Sequence, residues 1–67
     1  MSTFHRFHKT DFISTQWFHL FKDGEKFVKR FPVAGVSTME DITEVQYNNL
    51  LSEWMAKTDF NVEVTEA

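Results

Sequence analysis

The stretch FISTQWFHLFKDGEKFVKRFPV, Phe12 to Val33, decides how this chain folds. It reads as two aromatic-rich strands, Phe12 to Phe21 and Lys26 to Val33, doubled back at Lys22-Asp23-Gly24-Glu25. Asp-Gly between two apolar runs is a strong hairpin signal, because glycine takes φ > 0 without steric cost and aspartate tolerates it. Six of the eleven aromatic residues lie here, so the core must be built on this hairpin.

Its register decides which face is core. A two-residue Asp23-Gly24 loop would pair Leu20 with Phe27 and set Trp17 opposite Arg30. A three-residue loop, Asp23 to Glu25, pairs Phe21 with Phe27 and Trp17 with Phe31, stacking aromatics at ~0.2–1 kcal/mol per pair. The second register is preferred, and it gathers Ile13, Trp17, Phe21, Phe27, Phe31 and Val33 on the inner face. A slip of one residue would invert every side chain. The outer face then carries Phe12, Phe18, Leu20 and Val28 beside Ser14, Gln16 and Arg30. One helix covers one side of a small sheet, so this surplus apolar face needs the N-terminal arm, a second subunit or a partner.

Outward from the hairpin, Pro32 ends the second strand or places it at an edge, since it cannot donate to a ladder. Ala34-Gly35 turns the chain, and Val36 to Asp41 reads as a loop or one short turn. Thr43 and Gln46 form a capping box, with Ile42 and Tyr47 as a hydrophobic staple. Tyr47, Leu50, Leu51, Trp54 and Met55 then make one apolar helical stripe, with Val45 on the opposite side. Phe60-Asn61-Val62-Glu63-Val64-Thr65 alternates as a half-buried strand, with Phe60, Val62 and Val64 toward the helix. The expected fold is α+β: a β-β-α-β domain over residues 12–67, with a three-stranded, mainly antiparallel sheet packed on one helix. The last strand is expected antiparallel beside the first. Residues 1–11 read as a basic, aromatic arm or an edge strand.

The chain has 67 residues, no cysteine and a net charge of −3. That is one small domain burying only ~60% of its unfolded surface, without disulfides or thiolate metal sites to reinforce it. The lack of cysteine and of any long apolar run points to a cytoplasmic protein with no membrane association. Charge is divided unevenly. Residues 1–33 hold six Lys/Arg against three Asp/Glu, and residues 34–67 hold one Lys against seven Asp/Glu. The first expectation is internal, a basic sheet attracting an acidic helix; a two-sided electrostatic surface for a partner is the other.

Catalysis finds no support. No cysteine nucleophile or glycine-rich phosphate loop is present, and the hydroxyl residues fit turns and caps. Glu40 and Asp41 suit a solvated approach to the helix better than an acid/base pair. His5 and His8 form an H-x-x-H with His19 elsewhere, but i,i+3 converges on a helix and not on an extended segment, so no metal or cofactor is expected.

Three binding readings remain. The first is a protein-binding module, an inhibitor or modulator of a larger host protein, or a self-associating dimer, using Phe18, Leu20, Val28 and Arg30 with Phe4 and Phe7 extending the surface. The second is single-stranded nucleic acid on the basic aromatic hairpin, through Lys26, Lys29, Arg30 and Trp17. The third is an acidic nucleic-acid mimic, through Glu40, Asp41, Glu44, Glu53, Asp59, Glu63 and Glu66. In size and β-β-α-β order the chain resembles small phage-encoded proteins that bind and inhibit host enzymes, including inhibitors of bacterial RNA polymerase. That resemblance lies in element order alone and assigns no residues.

Overall fold

A meander of four strands, one helix and a returning strand make up the chain, in a computed structural model that describes all 67 residues. The strands are β1 (Ser2–Thr10), β2 (Thr15–Asp23), β3 (Lys26–Val33), β4 (Val36–Ile42) and β5 (Asn61–Glu66), with α1 (Glu44–Met55) between the last two. They form one antiparallel sheet in the order β4-β3-β2-β1-β5. The α+β class is as expected; the strand count is five, not three.

Three details differ from the sequence reading. Residues 1–11 are not an edge: Ser2–Thr10 is an inner strand, paired with β2 on one side and β5 on the other. The last strand does lie antiparallel beside the chain's first, but that strand is β1. Val36–Ile42 is a strand rather than a loop, because Ala34 (φ 51°) and Gly35 (φ 80°) both take positive φ and close a two-residue hairpin between Val33 and Val36. Two positive-φ residues define the type I′ turn, whose twist matches that of paired strands. With the order now β-β-β-β-α-β, the basis of the likeness to phage-encoded inhibitors is gone.

The central hairpin adopts neither expected register. Asp23 pairs with Lys26, so the loop is Gly24-Glu25, with Gly24 at φ 60°. Glycine at the first loop position is the type II′ arrangement. Leu20 then faces Lys29 and Phe21 faces Val28, one step from the three-residue-loop register. The slip puts Phe18, Leu20, Phe27 and Phe31 on one face, and Trp17, Phe21, Val28 and Arg30 on the other. Phe12 and Ile13 belong to neither face. They project from the Asp11–Ser14 turn, where Phe12 is fully exposed.

Thr43 caps α1 through its hydroxyl to the Gln46 N–H, and Gln46 Oε1 accepts from the Thr43 N–H, completing the expected box. The helix crosses from the β4 edge toward the β5 edge. Near its start Tyr47 meets Phe27 at 5.2 Å between ring centroids. Near its end Trp54 stacks on Phe18 at 4.5 Å and touches Phe7 and Phe60. The core is therefore Phe7, Phe18, Leu20, Phe27 and Tyr47, ringed by Phe31, Ile42, Leu50, Leu51, Trp54 and Phe60. Val45 is exposed, as the stripe requires. Phe60, Val62 and Val64 fall on the helix side as expected, although Val62 and Val64 stay exposed there. Lys57 falls past the helix end and lies over the Trp54 ring.

The two charge halves do meet, but through strands rather than across a sheet and helix. Arg6 bonds Glu63 and Lys9 bonds Asp59, each at 2.9 Å, and Lys29 approaches Glu40. Hydrogen bonding to Lys9 holds the Asp59 carboxyl below its ordinary pKa and raises that of Lys9. Both groups are exposed, so these pairs orient β5 and β4 more than they stabilise them.

Candidate functional site

The face of the sheet away from α1 has no covering element. Its side chains are set by strand alternation and register in cross-strand rows. One row runs Thr65, Phe4, Phe21, Val28, Asp41 from β5 to β4; the next runs Glu63, Arg6, His19, Arg30, Met39. Beyond it stand Asn61, His8 and Trp17. Apolar and aromatic groups thus occupy the middle of an uncovered sheet, with charged groups along one line across it.

Within these rows lies a depression of about 330 Å³ lined by Phe4, His19, Phe21, Val28, Arg30 and Met39. Val28 forms its closed floor, and Met39 is 67% exposed at its rim. His19 is clamped between aromatic neighbours, edge-on to Phe4 at 5.0 Å and tilted against Trp17 at 4.7 Å. Its Nδ1 is shielded and has no hydrogen-bond partner in the protein. Burial, then the positive charges of Arg30, Arg6 and His8, hold the His19 imidazole below its ordinary pKa and so neutral near pH 7. Arg30 is fixed twice, by Nε donating to Ser37 Oγ and by its guanidinium standing 5.9 Å from the Trp17 ring.

The residues expected to bind a partner divide between the two faces. Val28, Arg30 and Phe4 are brought together at the depression. Phe18, Leu20 and Phe7 are instead the centre of the core beneath α1, with Phe7 and Leu20 wholly enclosed. The one-step register difference accounts for Phe18 and Leu20, and the inner position of β1 accounts for Phe7. Three lining residues differ from the sequence reading, which places Phe21 on the inner face and Met39 in a loop and gives His19 no binding role. A usable signal was present for Phe21, since glycine is as suited to the first loop position as to the second.

Of the residues expected at a nucleic-acid surface, Lys26, Arg30 and Trp17 share the open face. Lys29 lies on the helix side with Glu40. Formal charges on the open face balance, Arg6, Lys26 and Arg30 against Asp23, Asp41 and Glu63. His5 and His8 point to opposite faces of β1, as i,i+3 residues of a strand must, so they cannot share a metal. No group of three potential ligands is assembled anywhere. No helix is long and apolar enough to cross a membrane.

Fold and site together define a one-sided sheet, with five antiparallel strands backed by one helix and an amphipathic depression on the bare face. The chain matches no protein-family model, no curated protein and no solved structure.

Proposed function

We propose that this chain is a non-enzymatic binding module that docks on another protein through the open face of its sheet. The observation that carries this reading is the depression among Phe4, His19, Phe21, Val28, Arg30 and Met39, on a face that no element of the chain covers. An apolar centre rimmed by charged groups is the usual composition of a protein-docking surface. The core is already complete on the other side, so this face contributes apolar surface beyond what the fold uses.

The charge balance of the face does not favour a nucleic-acid backbone, which rewards an excess of cations along a track. The carboxylates of the nucleic-acid-mimic reading are spread over β4, α1, β5 and the segment joining the last two, and Asp59 and Glu63 are paired with Lys9 and Arg6.

The test is capture from the source cell with three baits: the native chain, Met39→Glu with Phe4→Ser, and the helix control Val45→Ser. The reading expects a protein retained by the native chain and by Val45→Ser, and lost with the open-face variant. A protein retained equally by all three would place docking elsewhere. Sedimentation over a concentration range separates a second copy of the chain from a foreign partner.

A further inference from the structure

We propose that the depression takes an apolar side chain whose adjoining carboxylate is held by Arg30, so that the docked protein presents an extended segment with one acidic group beside an apolar one. This rests on the open face being the docking surface and adds the chemistry of what docks there. The apolar component follows from the floor and rim, Phe4, Phe21, Val28 and Met39.

The acidic component follows from charge complementarity at one point. Arg6 spends its charge on Glu63 at 2.9 Å, and Lys26 stands across from Asp23 in the turn pair. Arg30 alone among the cations of this face faces no carboxylate. Met39 is its cross-strand neighbour on β4 and neutral His19 its neighbour on β2. Its Nε is occupied by Ser37 and its Cζ stands 5.9 Å from the Trp17 ring centroid, which leaves the terminal nitrogens free of protein partners and the guanidinium held in place. A planar, pre-positioned guanidinium selects a carboxylate by paired N–H···O bonds at little entropic cost.

One free arginine at the margin of an apolar hollow is a site for a single anionic group. It is not a track for a polyanion, because Asp23, Asp41 and Glu63 interrupt the face. The hollow, about 330 Å³, sits near the lower end of the ~300–1,000 Å³ typical of small-ligand sites, room for one large side chain and its immediate neighbours.

The experiment titrates the full ¹⁵N-labelled chain with 3-phenylpropionate, with the uncharged 3-phenylpropionamide and with a dodecamer of deoxythymidylate. The carboxylate is expected to move the amides of Phe4, Phe21, Val28 and Met39 and the Arg30 Nε signal. It should bind about tenfold more tightly than the amide, the order expected of one charge-assisted pair. Arg30→Gln should remove that preference, and Arg30→Lys, which keeps the charge without the fork, should restore part of it.

Equal affinity for acid and amide in the native chain would overturn the proposal, as would shifts confined to α1. Stronger binding of the oligonucleotide at the same resonances would overturn it in favour of phosphate. The docking reading fails separately. If acid and amide bind alike while Met39→Glu with Phe4→Ser loses the captured protein, the face docks but not by this chemistry. If acid is preferred while the captured protein is kept, the carboxylate site stands and the docking reading falls.

Discussion

Extending the register that joins β2 to β3 sets Pro32 opposite Trp17, and the paired ladder stops two residues short of them, at His19 and Arg30. Both strands continue, β2 back to Thr15 and β3 on to Val33, but each is then paired only with its outer neighbour. The cause lies in the two tight turns. Residues flanking a two-residue hairpin loop exchange both backbone bonds, and bonding alternates along each strand from there. Counting from Val33–Val36, the nitrogen of Pro32 points toward β2. Counting from Asp23–Lys26, the next bonded pair after His19–Arg30 would need an N–H from Pro32. Proline has none, and the sheet forks there.

Pro32→Val should therefore extend the β2–β3 ladder by one bonded pair. The new bond contributes about 0.5–1.5 kcal/mol, and losing proline's restriction of the unfolded chain costs about 0.4–1 kcal/mol, so global stability should barely move. The informative measurement is hydrogen exchange. The new amide at position 32 should exchange slowly, and free exchange there would mean that something other than the missing donor holds the fork open.

Ala34 occupies left-handed backbone at φ 51° beside Gly35 at φ 80°. A side chain with a Cβ pays about 1–2 kcal/mol there, less for asparagine, which hydrogen-bonds locally. Ala34→Asn makes an Asn-Gly I′ turn and should stabilise the chain by about 1 kcal/mol, raising Tm by roughly 4–8 °C for a domain this small. Thermal unfolding followed by far-ultraviolet circular dichroism reads this directly. An unchanged Tm would refute the strain.

These turns also show where the sequence was readable. The helix was legible because its signals are local: the Thr43–Gln46 box spans four residues and the Tyr47-to-Trp54 stripe has one helical period. The hairpin's existence was legible for the same reason. Its register was not, because Asp23-Gly24 and Gly24-Glu25 are both acceptable loops and one step exchanges Phe18 and Leu20 for Trp17 and Phe21. β4 is not legible because it is an edge strand whose helix-side residues include Thr38 and Glu40, so it carries no apolar alternation. β1 was ambiguous because Phe4 and Phe7 lie on opposite faces. The candidate site suffered most, since it is assembled from β1, β2, β3 and β4 and every member depends on long-range pairing.

His5 and His19 predict how the fold responds to acid. Burial lowers both pKa values from the ordinary 6.5; for His5 this outweighs Glu66, and for His19 Arg30, Arg6 and His8 add to it. A depressed imidazole pKa means that the unfolded chain binds more protons once pH falls below about 6.5, so stability should decline from there and level off below the folded values. Urea midpoints at pH 7.5 and 5.5 test this. His19→Gln should flatten the pH dependence, whereas a native midpoint that does not fall with pH would contradict the linkage.

Phe18 and Met39 separate the two faces most directly. Phe18 is stacked under Trp54, with ring planes 11° apart, and Met39 lies at the rim of the open depression. Phe18→Ala removes a buried ring and should cost about 3–5 kcal/mol. A 67-residue domain commands only roughly 3–10 kcal/mol in total, so this variant should be largely unfolded, with Trp54 emission shifted to the red. Met39→Ser should stay within about 0.5 kcal/mol of the native chain. A folded Phe18→Ala beside an unfolded Met39→Ser would put the helix on the other face of the sheet and move the docking surface with it.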